Sequence, residues 1–261
     1  MILKNNEFKE GYEKLVFEEN EAIKMDFGVL SLSKGNSYRF LEEKECVFTL
    51  LSGEVIFKYD GKEEKALRNS CFHENPTVLH VPENTEVLII SESEKTEVLV
   101  QSTKNSKKFE AKLYREADLL CPTEMRGAGT LNEASTRIVR TFFDRSTCPE
   151  TNFYIGEVVS YPGKWSSYPP HFHTEPEIYF YKFLPENGYG FAEMGDEVYK
   201  VKNNNLTGMP ENITHSQSTA PGYAEYYLWV IRLQDDVNMV TNVVKEHAWT
   251  AKEGAKYFPE I

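Results

Sequence analysis

Apolar residues along this chain fall in short runs that alternate with polar ones and are punctuated by Gly, Asn and Pro. GVLSLSKGNSYRF (28–40) reads as a strand, a Gly-Asn turn and the next strand. CVFTLLSGEVIFKYDGKEEKAL (46–67) continues with a strand, a Ser-Gly break, a strand alternating at Val55, Phe57 and Tyr59, an Asp-Gly hairpin turn and a further strand. TVLHVPENTEVLIISES and EVLVQSTK extend the series, and no amphipathic helix of normal length interrupts it. Strands recurring every ~8–12 residues predict a β-sandwich or barrel.

Residues 103–136 are richer in charge, Gly and small side chains and read as a linker with loops. A second series then begins: TRIVRTFF, NFYIGEVVSY, EIYFYKF, GYGFAEM, EVYKV, NLTGMP, THSQST and YYLWVIRL. Residues 1–20 read as a mixed-charge lead-in, and the tail from Asp235 as a short helix or extended arm around VKEHAWTAKEGAKYF. The expected organisation is an all-β chain with two domains, 1–110 and 111–261.

Composition strengthens that picture. The 261 residues suffice for two cores, and 15 Tyr and 16 Phe favour strands. A formal net charge of -12 argues against non-specific nucleic-acid binding and against an anionic membrane surface. The N-terminus has no cleavage-type pattern and no run approaches 18 apolar residues, so a cytoplasmic protein is expected. Cys46, Cys71, Cys121 and Cys148 are scattered without a CxxC pair and read as free thiols.

The chemistry concentrates in SSYPPHFHTEPEIYFYKF (166–183). On an extended segment, residues two apart share a face, so His171 and His173 present both imidazoles to one side. Glu177 keeps the parity after a turn at Thr174–Pro176, and His215 can approach from a neighbouring strand. Three imidazoles and a carboxylate suit one divalent transition metal (Zn, Mn, Fe or Ni) with positions left open for substrate. His73, His80 and His247 lack such partners and read as structural or surface residues.

The two halves also repeat weakly. VPENTEVLII (81–90) aligns with MPENITHSQS (209–218), which sets Val87 where His215 stands. Phe40, Glu42 and Cys46 then fall where the second half has its two histidines and Glu177. The first half reads as a ligand-free copy of the second.

His-x-His-x3-Glu followed by Pro-x-Asn-x2-His resembles the two signature motifs of cupins, small β-barrels with an internal metal site. Cupins carry Gly where this chain has Asn212, and Asn is the next best residue for a left-handed turn. GKWSSYPPHFH, EIYFYKFLPENGYGF, the Asn212 segment, APGYAEYYLWVI and MRGAG together resemble the 5-deoxy-glucuronate isomerases of bacterial myo-inositol catabolism. That resemblance implies a bicupin, two tandem jelly-roll-like barrels with a degenerate N-terminal one. It also implies aldose–ketose isomerisation of a sugar acid, 5-deoxy-glucuronate to 5-dehydro-2-deoxy-gluconate, through a metal-stabilised enediolate. For the base, Glu175 is the first candidate, with Tyr181, Tyr168 and Tyr227 nearby; Tyr168 and Tyr227 are also candidate substrate contacts. Arg126, Arg140 and Lys182 are the candidates for the substrate carboxylate. A cupin oxygenase and a non-catalytic sugar-binding cupin are the competing functions, and homo-oligomer formation is left open.

Overall fold

A computed structural model describes residues 2–4, 7–19, 22–235, 237 and 239–259. Among them strands dominate, the only helices are short 3-10 turns, and no helix is long and apolar enough to cross a membrane. The expected all-β class holds. The four cysteines are free, as expected, and Cys121 alone among them is not buried.

The chain divides into two compact units that interleave in sequence. One comprises Glu7–Pro122 and Phe142–Tyr154; the other comprises Met1–Asn6, Thr123–Thr141 and Ile155–Ile261. A single cut at 110/111 therefore does not describe them, and pairing explains why. Lys112–Tyr114 forms a strand against Val78–Val81, which keeps it with the first unit. The loop carrying Thr151 and Asn152 belongs there too, because Thr151 Oγ1 and the Asn152 amide both donate to the buried carboxylate of Glu45, at 2.5 and 2.9 Å. Ile2–Leu3, read from sequence as lead-in, instead pairs with Leu206–Met209 of the second unit.

In the first unit, Glu45–Tyr59 is the central strand, pairing with Val78–Val81 and Thr96–Thr103 along its first part and with Lys62–Arg68 and Val87–Ser91 along its second. The Ser-Gly break is not a break in the strand but a register shift between Leu50 and Ser52, with Gly53 at φ 105°. Asp60 and Gly61 take φ of 45° and 73°, the left-handed pair a two-residue hairpin needs. Phe40, Phe48, Leu50, Phe57, Val87, Ile89 and Val98 lie in one buried apolar cluster.

Gly11–Val16 and Cys121–Arg126 are also strands, where the sequence suggested lead-in and linker. Both are half-buried or exposed along most of their length, so no run of apolar residues marks them. Of the short helix or extended arm expected around VKEHAWTAKEGAKYF, the chain forms a 3-10 segment, Lys245–Ala251.

The second unit contains a five-stranded sheet ordered Glu197–Lys202, Tyr189–Met194, His215–Thr219, Trp165–Phe172, Asn242–Val243. Its other sheet sets Leu206–Met209, Glu177–Leu184, Ala224–Arg232 and Phe153–Ser160 side by side. Glu177 begins a strand of one sheet while His215 begins a strand of the other.

Candidate metal centre

His171 lies directly opposite His215 across the pair formed by Trp165–Phe172 and His215–Thr219. Between Ser166, which faces Gln217, and His171 the register shifts, so residues 167–170 bulge from the ladder. Pro169 and Pro170 lie in that stretch and cannot donate to a neighbouring strand. The bulge ends at His171, and His173 follows just beyond the strand. The chain then turns through Thr174–Pro176 into the Glu177 strand.

One ligand atom from each of His173, Glu177 and His215 lies within 4.8 Å of the others, and all three residues are buried. Glu177 Oε2 stands 3.2 Å from His173 Nε2 and 3.1 Å from His215 Nε2. Two donors each bound ~2.0–2.2 Å from one ion stand about 3 Å apart, so this spacing suits a shared cation. His171 completes the group by ring contact, its centroid 4.5 Å from His215 and 6.3 Å from His173.

The orientation of the rings is set by one repeated device. Nδ1 of His171 donates to the Pro169 carbonyl at 3.1 Å, Nδ1 of His173 to the Glu175 carbonyl at 2.8 Å, and Nδ1 of His215 to the Ile213 carbonyl at 2.9 Å. A carbonyl can only accept, so each Nδ1 carries a proton, and the Nε2 atoms of His173 and His215 are turned toward the Glu177 carboxylate. Nε2 of His215 is buried without a hydrogen-bond partner. Burial would raise the pKa of Glu177, but the His173 and His215 rings outweigh it and hold the carboxyl at about 2. Burial and the neighbouring His215 push His171 down to about 4, which keeps it neutral at ordinary pH. A buried carboxylate, a buried imidazole nitrogen with no partner and two further imidazoles are the donor set a divalent transition metal takes.

Beyond the rings the interior stays polar. Tyr179 lies against His215 with centroids 5.9 Å apart and stacks on Tyr227 at 4.8 Å. Ser167 Oγ is 3.0 Å from the Tyr179 hydroxyl and 3.1 Å from that of Tyr227. Tyr181 bonds Thr207 Oγ1 and Gln217 Oε1 at 2.8 and 2.9 Å.

Other residues singled out from the sequence lie elsewhere. The Glu175 carboxylate is buried at the Nδ1 edge of His173, Oε2 3.9 Å from that nitrogen, so the imidazole separates it from the Nε2 side. That position does not suit a base acting on substrate. Arg140 is buried in an ion pair with Glu157 at 2.7 Å. The Lys182 ammonium lies over the Phe180 ring, on the strand face opposite Tyr181. Arg126 is exposed and paired with Glu124 at 2.9 Å. Tyr168 is half-buried at the bulge, edge-on to Trp165. Sequence reasoning missed Tyr179 and Arg137. The parity shared by Glu177, Tyr179 and Tyr181 could have pointed to the first of these.

Two barrel-forming units, one with a His/Glu cluster inside, define a bicupin, and solved cupins have this fold. A cupin barrel protein from Leptotrichia buccalis aligns with TM-score 0.52 at 12% identity, covering 88% of this chain and 92% of that one. An IolB-like protein from Salmonella typhimurium aligns with TM-score 0.85 at 22% identity, covering 94% of this chain and 97% of that one. The model of the KduI/IolB family matches residues 1–250, and the chain belongs to that family. Among its relatives, 5-deoxy-glucuronate isomerase of Halalkalibacterium halodurans is 28% identical, over 79% of this chain and 81% of the relative. The enzyme of that name from Geobacillus kaustophilus is 29% identical, over 78% of each.

Proposed function

We propose that this protein isomerises 5-deoxy-glucuronate to 5-dehydro-2-deoxy-gluconate, an aldose–ketose conversion in inositol catabolism, as a metal-dependent cytoplasmic enzyme. The observation that carries the reading is the convergence of His173 Nε2, His215 Nε2 and Glu177 Oε2 in a member of the KduI/IolB family. In this proposal His171, His173, Glu177 and His215 are the ligands. A divalent transition metal held there supplies Lewis acidity toward the substrate carbonyl and its neighbouring hydroxyl.

The chain's own groups prepare that site. Three Nδ1–H donors fixed on backbone carbonyls hold the rings, so little reorganisation is needed when substrate arrives. Glu175 fixes the orientation of His173 through its carbonyl and takes a positioning role in place of the base role expected from sequence. The Tyr179 and Tyr227 hydroxyls, joined by Ser167, wall the cluster with groups able to bond sugar hydroxyls. Tyr181 supports that wall from the next polar layer, and Tyr168 stands at the bulge as a substrate contact.

The test is an anaerobic assay with 5-deoxy-glucuronate, with metal content measured on the same sample. Formation of the keto acid in proportion to bound metal is expected. Oxygen-dependent turnover would replace this reading with an oxygenase, and tight sugar binding without conversion would replace it with a binding module.

A further inference from the structure

Two arginines three residues apart, Arg137 and Arg140, project from opposite faces of one strand, and both are buried, at 9% and 4% exposure. Their charges are handled differently. Arg140 donates to the Glu157 carboxylate, itself fully buried, and Glu157 also accepts from the Tyr226 hydroxyl at 3.0 Å. Arg137 has no carboxylate within ion-pair distance among the described residues. Its guanidinium donates to two backbone carbonyls, Ser135 at 2.8 Å and Tyr168 at 3.4 Å, and its Nε is buried with no partner. Of five N–H donors, most remain uncommitted.

A buried cation without a counter-charge is unfavourable unless an anion reaches it. The position of Arg137 indicates which anion. Tyr168, whose carbonyl it holds, adjoins Ser167, and Ser167 joins the hydroxyls of Tyr179 and Tyr227. The Tyr179 ring in turn borders His215. Arg137 therefore lies at the hydroxyl end of the tyrosine pair whose other end meets the His/Glu cluster, and its positive charge acts on the Tyr227 hydroxyl. A six-carbon sugar acid is oxygenated for a metal at one end and anionic at the other.

Resting on the isomerase reading above, we propose that Arg137 is the specificity residue for the sugar acid, binding its terminal carboxylate through the free edge of the guanidinium. Arg140, paired with Glu157, and Arg126, exposed with Glu124, are not needed for that contact. An Arg fork matches a carboxylate where Lys offers only a point charge, so Lys at 137 should recover part of the effect.

The experiment uses the full-length, metal-loaded protein and three forms of residue 137: wild type, Arg137→Lys and Arg137→Met. Each is assayed with 5-deoxy-glucuronate and with the neutral sugar in which the carboxylate is replaced by a hydroxymethyl group. The expected result for Arg137→Met is a loss on the order of 10²-fold in kcat/KM for the acid, with the neutral sugar within about threefold of wild type. Arg137→Lys should fall between, with metal content unchanged in all three. Equal losses on both sugars, or an unchanged preference for the acid, would overturn the proposal. If Arg137→Met does not fold, the acid-to-neutral ratio in Arg137→Lys decides, and a ratio equal to wild type overturns it. Calorimetric binding of the C1-reduced acid, which cannot isomerise, separates this inference from the reading it rests on. Binding that weakens in the variants, without turnover in wild type, removes the isomerase and keeps Arg137. Binding that is equal in wild type and variants removes Arg137 alone.

Discussion

Asn84 and Asn212 occupy the same bend in two different barrels. Both have φ of 61°, and their backbone N–H groups donate to the carbonyls of Glu42 and His173 at 2.7 and 2.8 Å. From that shared bend the register matches position by position. Cys46 faces Val81 as Glu177 faces Met209, and Phe40 faces Val87 as His171 faces His215. Continuing along the same strands, Phe48 corresponds to Tyr179, Leu50 to Tyr181, Ile89 to Gln217 and Val55 to Gly190. One barrel is filled with aliphatic and phenyl side chains, and the other, on the same frame, with imidazoles, phenols, an amide and carboxyls.

The contrast teaches that the frame does not require the His/Glu cluster. Strand pairing and the Asn bend hold a barrel whose buried cluster is mainly aliphatic and phenyl, with Cys46 and Tyr59 among it, and which gains the usual burial energy, ~25 cal/mol per Å². The polar interior gives up part of that gain to hold the buried His/Glu cluster, as functional sites commonly do. Gly190 shows the accommodation in detail. A Cβ there would meet the Ser218 carbonyl at 2.6 Å and a Glu225 carboxyl oxygen at 3.1 Å, so the space taken by the Val55 side chain in one barrel is closed in the other.

Exchanging residues between the barrels tests this directly. His215→Val, which installs the residue at the matching position, should remove metal and lower turnover by at least about 10³-fold while leaving the fold intact. Metal analysis and kinetics check it, and retained metal would break the comparison. The reverse change, Val87→His, sets an imidazole without a partner in an apolar interior and should cost roughly 2–4 kcal/mol in urea unfolding, without creating a metal site.

A smaller effect concerns Glu225, whose two carboxyl oxygens are buried with no hydrogen-bond partner. Burial raises its pKa well above the ordinary carboxylate range. The folded state therefore keeps this proton after the unfolded chain has lost it. Its contribution to stability is complete below the unfolded value and declines as pH rises toward the folded one, by about 1.4 kcal/mol per pH unit. Glu225→Gln should remove that decline, so stability curves of the two proteins should diverge as pH rises above the unfolded value; parallel curves would show that the carboxyl is ionised in the fold.

The smallest expected effect is at the bends. Asn84→Ala and Asn212→Ala should each cost about 1 kcal/mol because Ala resists positive φ, and the Gly variants should restore it. Only Asn212→Ala should also reduce metal affinity, since strain at this positive-φ bend shifts the backbone N–H that holds the His173 carbonyl. Equal effects of both on metal would sharpen the comparison in the other direction, toward coupling through the frame.

Much of this was legible in the chain. The alternation at Val55, Phe57 and Tyr59, the Asp60-Gly61 turn and the PEN repeat each express a local rule of strand or turn geometry, and the structure follows them. The His171, His173, Glu177 and His215 group was legible because strand parity and a matched bend bring those positions together. Parity gives a face and not a depth, however, so it could not tell Tyr179, which borders His215, from Tyr181, which bonds Gln217. The edge strands at Gly11–Val16 and Cys121–Arg126 escaped because they bury little apolar surface.

By itself, then, the sequence determined the all-β class, the turns, the duplicated frame and the cluster of metal-type side chains, since these depend on neighbours within a few residues or on a repeated pattern. Tertiary structure alone decided the rest. It wove the Thr151–Asn152 loop into the first unit by way of Glu45, turned Glu175 to the far edge of His173, and gave Glu157 to Arg140 while leaving Arg137 without a carboxylate. The first and last of those outcomes depend on which distant group meets a buried charge, the second on how the turn at Thr174–Pro176 is seated, and local pattern encodes neither.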